Sequence, residues 1–245
     1  EYLEQSKTKK EPEKPKVTQI SGSKEFSLKD LTDLWRVNGV NYKNGVYQVD
    51  LAKKLLDNES SKTQDGWVEY SNQAITRDGF YVGDFPLYHA LFTNLFKNKD
   101  NSQSKQEIEK AKQFISKNMF DYWLSTLTRI KYSKSGRDTV THNFGMQDRY
   151  EVQGGVIGND GYIIDINPQN ELNMILGSND INEINQVYNW LTGKNTYLFR
   201  LNSIPKEDTE GVAWFSASSD RSFLICCGDP TYSGRALGVR AKKIK

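Results

Sequence analysis

Two histidines, two adjacent cysteines and one Asp/Asn-rich segment are where this 245-residue chain could do chemistry. His89 sits in Pro86-Leu87-Tyr88-His89-Ala90-Leu91-Phe92. A lone His on an apolar helix is more often a packed, hydrogen-bonded residue than a catalyst. His142, in the strand-like Thr141-His142-Asn143-Phe144, has the same standing. With no Gly-x-Ser-x-Gly elbow and no Cys/His pairing, nucleophilic hydrolysis finds no support. Cys226 and Cys227 are neighbours, and vicinal cysteines seldom bridge each other. In a strand they point opposite ways, one into the core and one outward, and no Lys or His lies close in sequence to activate the outward thiol. Gly154, Gly155 and Gly158 lack the Gly-Lys-Ser/Thr ending and the following helix of a phosphate loop. The oxygen-rich segment 157–171 could hold calcium, but it lacks the EF-hand spacing and reads first as turn chemistry. No metal and no cofactor is expected.

The elements that position these groups follow from composition and pattern. Lys plus Arg number 33 against 31 Asp plus Glu, for a formal net charge of +2. That balance gives no footprint for nucleic acid. The chain carries 13 Tyr, 11 Phe and 5 Trp, which a wholly disordered chain would not. No apolar run approaches the roughly 20 residues that span a bilayer, and no basic-then-apolar leader opens the sequence. Residues 1–24 alternate in charge and hold almost no bulky apolar side chains, so they read as a tail or linker. Residues 25–245 read as one domain.

Within that domain, Leu28, Leu31, Leu34 and Trp35 recur at helical spacing behind Ser27. A strand pair turned at Lys43-Asn44-Gly45 follows, then a short helix over Leu51–Asn58. Trp67–Tyr70 and Phe80–Val82 read as strands. Asp84-Phe85-Pro86 opens a helix with Leu87, Leu91 and Leu95 on its apolar stripe. Ser104 and Glu107 form a capping box for the next helix. After Thr128 the chain reads as short strands between Gly, Asn and Asp turns, including GYIIDI and LNMIL. One more helix runs from an Asn179 or Asp180 cap to Gly193. TYLFRLN, VAWFSA, SFLICC and ALGVRAK return to strand. Helices first and strands later, without βαβ alternation, predict an α+β fold.

Residues 215–235, FSASSDRSFLICCGDPTYSGR, contain no Lys, Glu, Gln, Met or Trp. They draw on Ser, Asp, Arg, Phe, Leu, Ile, Cys, Gly, Thr and Tyr, each of which a codon ending in a pyrimidine can specify. Randomising the adenines of AAC-type codons yields such an alphabet. Chance depletion in a strand-rich segment is the alternative source, since strands disfavour Lys, Glu and Gln anyway.

The same stretch carries a resemblance. Gly211-Val212-Ala213-Trp214, then Arg221, then Leu237-Gly238-Val239-Arg240 resemble the end of a C-type-lectin-like domain of the formylglycine-generating-enzyme type. With Leu224, Cys226 and Asp229-Pro230 added, the pattern resembles the variable proteins of diversity-generating retroelements, in particular their archaeal group, nanoarchaeal members included. Val239 and Ala213 depart from the usual Phe and Ser, and the calcium signatures of sugar-binding lectins are absent. The resemblance covers about the last 45 residues. It implies a C-type-lectin-like domain whose variable region, at about 196–240, is rewritten by an error-prone reverse transcriptase and displayed as a binding surface.

On that reading Phe215, Ala217, Leu224 and Cys226 face inward. Trp214, Arg221 and Arg240 belong to the scaffold. Ser216, Ser218, Ser219, Ser222, Phe223, Ile225, Cys227, Gly228, Thr231, Tyr232, Ser233 and Gly234 form one exposed, ligand-binding surface. The implied function is non-enzymatic binding of a macromolecule, a protein rather than a nucleic acid, at the cell surface or after secretion. The alternatives are an enzyme of the same fold acting through Cys227 or His142, or a structural surface protein without a diversified site.

Overall fold

The computed structural model describes residues 26–244, so the tail read over 1–24 lies outside the described residues. The described residues begin in strands, not helices: β1 (Ser27–Asp30), β2 (Leu34–Tyr42) and β3 (Gly45–Leu55) form an antiparallel ladder. The helical spacing of Leu28, Leu31, Leu34 and Trp35 is split by a turn that the Leu31 amide closes onto the Leu34 carbonyl at 2.9 Å. Alternating burial of Trp35, Val37, Val40 and Tyr42 across a β-bulge then sets a strand. The expected turn sits at Lys43-Asn44, with Lys43 in the left-handed region at φ 50°. The helix read over Leu51–Asn58 is the end of β3 followed by α1 (Leu56–Glu59), a single turn with Asp57, Asn58 and Glu59 at positive φ. The last strand, β11 (Leu237–Lys243), returns to pair antiparallel with β3 and completes a four-stranded sheet in the order β1-β2-β3-β11.

Three longer helices follow. Trp67–Tyr70, read as a strand, lies in α2 (Gln64–Ile75), because the Thr63 side chain accepts from the Gly66 amide and starts a helix there. Phe80–Val82 contributes only a single bridge, Tyr81 to Val239. α3 (Phe85–Lys97) starts as expected, with the Asp84 carboxylate accepting from the Leu87 amide at 2.8 Å and Pro86 in the first turn. α4 (Lys105–Asp121) begins after Ser104, whose side chain makes no capping hydrogen bond.

The second sheet has seven strands in the order β6-β5-β4-β9-β10-β8-β7. They are β4 (Leu124–Tyr132), β5 (Asp138–His142), β6 (Tyr150–Gly154), β7 (Gly161–Tyr162), β8 (Thr196–Phe199), β9 (Thr209–Ala217) and β10 (Ser222–Gly228). Every neighbouring pair is antiparallel except β8 with β10. Between β7 and β8 come α5 (Ile163–Ile166), α6 (Gln169–Leu176) and α7 (Ile181–Thr192). LNMIL and most of GYIIDI are therefore helical, since apolar runs this short fit either period. α7 is capped by Asp180 and ended by left-handed Gly193, as read. The result is a mixed fold of two sheets and seven helices among the described residues, and the expected order of helices first, strands later does not hold.

Phe215 on β9 centres the main core. Its ring lies 4.3 Å from Phe85, 5.6 Å from Phe92 and 5.9 Å from both Tyr88 and Tyr188, so α3 and α7 cover one face of the sheet. One cluster of buried apolar side chains runs from Leu28 to Val239. A smaller one joins Trp67 of α2 to Leu56, Val82, Leu127, Met146 and Ala236. Burial of this kind contributes about 25 cal/mol per Å² of apolar surface.

Candidate ligand-binding face

The side of the seven-stranded sheet turned away from Phe215 carries the segment whose alphabet is restricted. In β10, Ser222, Leu224, Cys226 and Gly228 are buried, while Phe223, Ile225 and Cys227 reach the surface. Their neighbours set the surroundings. Phe223 lies opposite Ser216 of β9 and beside Tyr197 of β8, and Ile225 lies opposite Trp214 and beside Phe199. Tyr162 packs edge-on to Tyr197 at 5.4 Å, and Tyr197 edge-on to Phe223 at 6.1 Å. Arg221 spans this ladder. Its guanidinium is 4.6 Å from the Tyr197 ring centre, 5.7 Å from Tyr162 and 5.8 Å from Phe223, and it is tethered to Asp220. The Arg221 hydrogen bond, then that of Ser218, holds the Asp220 carboxyl below the usual carboxylate range.

The face continues on the other side of β9. Trp123 stacks on buried Trp214 at 5.3 Å and is itself 50% exposed. Ser216, Ser233 and Gly234 share a shallow cleft of about 370 Å³ with Phe120, Trp123 and Arg235. Tyr232 stands out at 57% exposure in the turn after β10. That turn is fixed by Asp229, whose carboxylate accepts from the Thr231 amide at 2.8 Å and the Thr231 hydroxyl at 2.7 Å; these bonds lower the Asp229 pKa. Exposed aromatics clustered beside a sheet face are what partners bury.

Of the twelve residues read as one exposed surface, Ser219, Thr231, Tyr232 and Ser233 are exposed, and Ser218, Phe223, Ile225 and Cys227 half-buried. Four readings need correction. Ser222 shares the inward parity of Leu224 and Cys226, and its amide donates to the Asn195 carbonyl at 3.0 Å. Gly228 is covered by Trp214, whose ring would lie 3.0 Å from an added Cβ. Gly234 exchanges backbone bonds with Lys62, accepts from the Trp67 indole at 2.8 Å, and would place a Cβ 2.6 Å from Ser125 Oγ. Ser216 points to the outward face but is buried at the floor of the small cleft. Arg221, read as scaffold, is instead part of the face. Trp214 is buried as read, and Arg240 is paired, its guanidinium donating to Asp50 at 3.0 Å and to the Asp78 carbonyl at 2.9 Å.

The sequence reading missed Trp123, Tyr162, Tyr197 and Phe199. The available signal was the alternation in Thr196-Tyr197-Leu198-Phe199, which buries Thr196 and Leu198 and leaves Tyr197 and Phe199 outward.

His142 and the Asp/Asn-rich segment serve as internal ties. The Met174 carbonyl can only accept, so His142 Nε2–H donates to it at 2.9 Å, Nδ1 of the neutral ring is the acceptor, and the Thr128 hydroxyl, which itself accepts from the Phe85 amide, donates to Nδ1 at 2.9 Å. Both nitrogens of that buried ring thus tie β5 to β4 and α6. Burial first, then the Asp160 charge, pushes the Cys227 thiol up to about 11, and burial raises Cys226 further. A thiol so shifted stays protonated near neutral pH. In the Asp/Asn-rich segment, Asp160 accepts from the Arg200 amide at 2.8 Å, and the Arg200 guanidinium bonds the Asn159 and Val156 carbonyls. Among the described residues no group of three or more His, Cys, Asp or Glu is placed to hold a metal, and no helix is long and apolar enough to cross a membrane.

A scan against protein-family models matched none, and searches of curated proteins and of solved structures returned no match.

Proposed function

We propose that the chain is a non-enzymatic binding protein that displays a retroelement-diversified surface on a C-type-lectin-like scaffold, with a macromolecule, most simply another protein, as its ligand. The observation that carries this reading is the division of β10. Phe223 and Ile225 reach the surface beside Tyr197 and Phe199, while Leu224 and Cys226 are sealed in the core. Side chains at Phe223 and Ile225 can change while the packing of Leu224 and Cys226 stays in place, whereas Cys227 packs against the core cluster. The flanking pieces of the resemblance are scaffold in character. Gly211–Trp214 lies in β9, at the centre of the seven-stranded sheet, and Leu237–Arg240 lies in β11 of the other sheet, so the segment between them is held at both ends. The raised cysteine pKa values and the fully bonded His142 weigh toward binding over catalysis.

The test is the coding locus and its sister copies. The reading predicts a nearly identical template repeat beside a reverse transcriptase gene, with differences confined to template adenines and, in protein terms, to outward positions such as 218, 223, 225 and 232. A locus without such a repeat would leave a plain surface protein.

A further inference from the structure

A second cleft lies along α3, and the restricted segment contributes nothing to its lining. His89, Thr93, Asn94 and Lys97 recur along one flank of this helix and face a cleft of about 580 Å³ closed by the β2–β3 turn, Tyr150 and the α6–α7 junction. Seven buried side-chain polar atoms lack a hydrogen-bond partner among the described residues, and three of them, His89 Nδ1, Thr93 Oγ1 and Asn94 Oδ1, belong to this wall. Buried polar atoms left unpaired cost about 1–3 kcal/mol each, so three on one cleft wall need a reason. His89 is 4% exposed, and its Nδ1 has no hydrogen-bond partner among the described residues.

We propose that this cleft binds a small uncharged polyol through His89, Thr93 and Asn94. The charges argue for an uncharged ligand. Lys97 is paired with Glu183 at 2.6 Å and Lys43 with Asp148 at 3.3 Å, so neither lysine is left to attract an anion. Burial lowers the His89 pKa to about 4, which keeps its imidazole neutral. The orphan atoms argue for hydroxyl groups. Asn94 Nδ2 donates to the Gly39 carbonyl at 2.7 Å, which fixes Oδ1 as an acceptor. A neutral imidazole offers one donor and one acceptor, and Thr93 can do either. A chain of hydroxyls, each both donor and acceptor, satisfies all three, while Pro86, Ala90 and Leu176 give its carbon skeleton an apolar wall.

The test is an NMR titration of the whole chain with sorbitol and with glucose, following the His89 imidazole and the Thr93 and Asn94 amides, with inorganic phosphate as the anionic comparison. The proposal predicts saturable shifts at these positions with at least one polyol, none with phosphate, and at least tenfold weaker binding in Thr93→Val, a variant of matched shape. Resonances unmoved by both polyols, a saturable response to phosphate, or equal affinity in a folded Thr93→Val would overturn it. The wild-type titration decides the matter even if the variant fails to fold. Resonances of Phe223 and Tyr232 report separately on the β10 face.

Discussion

Trp123 and Trp214 lie stacked with ring centres 5.3 Å apart and planes 28° from parallel, one indole half exposed and the other buried. The pair joins scaffold to surface. Trp214 fills the space over Gly228 beside Ile225, and Trp123 turns that packing into a platform on the outer face. The two substitutions should therefore behave differently. Trp214→Ala should cost about 3–5 kcal/mol, the range for a fully buried large aromatic. Trp123→Ala should cost distinctly less and act mainly on binding. Chemical denaturation of both variants measures the difference, and equal losses would remove the distinction between platform and scaffold.

Gly234 should resist replacement although it lies within the restricted segment. Its added Cβ would meet Ser125 Oγ at 2.6 Å and the Trp123 carbonyl oxygen at 2.8 Å. Gly234→Ser should destabilise by about 1–3 kcal/mol through overpacking, whereas Ser233→Asn next to it should be close to neutral. Thermal melts of the two variants check this.

The main elements were legible where a cap and a period agreed. Asp84 with Pro86 marked α3, and Asp180 with Gly193 marked α7, because capping side chains and left-handed glycines act locally. The alternation of SFLICC gave β10 its two faces. The misreadings have equally local causes. Leu28, Leu31, Leu34 and Trp35 keep helical spacing only because a turn falls between two strands, and LNMIL is too short to separate a helix from a strand. In the site, Ser222 keeps the inward parity of Leu224, and Gly228 and Gly234, read as members of an exposed GDPTYSG turn, are covered by long-range packing. Trp123, Tyr162, Tyr197 and Phe199 come from three other parts of the chain, and only the strand order gathers them.

Acid should destabilise the fold in part through His89. Burial, with the Lys97 charge adding to it, lowers its folded pKa to about 4, below the ordinary His value of 6.5. The unfolded chain thus takes up the proton first. The contribution is full above pH 6.5 and is lost as pH falls through 6.5 toward 4. The shift corresponds to about 3 kcal/mol at most. Denaturation of wild type and His89→Phe at pH 7.5 and pH 4.5 isolates the effect, and the wild type should lose the more stability between the two. Equal losses would show that the His89 ring does not need to stay neutral.

Residues 25–245 should behave as one folding unit. One apolar cluster contains side chains from Leu28 through Phe215 to Val239, and β11 from the end of the chain pairs with β3 near its start. Limited proteolysis should leave a single resistant core that holds both sheets. Early cleavage near residue 125 into two stable fragments would separate the sheets into two domains.

The claim that the outer face of β10 tolerates rewriting is tested most directly by a fourfold substitution, Ser218→Asn, Phe223→Tyr, Ile225→Thr and Tyr232→Asp, each to another residue of the pyrimidine-ending alphabet. Surface changes usually stay within about 0.5 kcal/mol apiece. At about 2–4 °C per kcal/mol for a chain of this size, the melting temperature should fall by less than about 8 °C. Leu224→Asn alone, one residue from Phe223 but facing the core, should cost more than all four together. A fourfold variant that fails to fold, or a Leu224→Asn that melts like the wild type, would contradict the diversified-surface account.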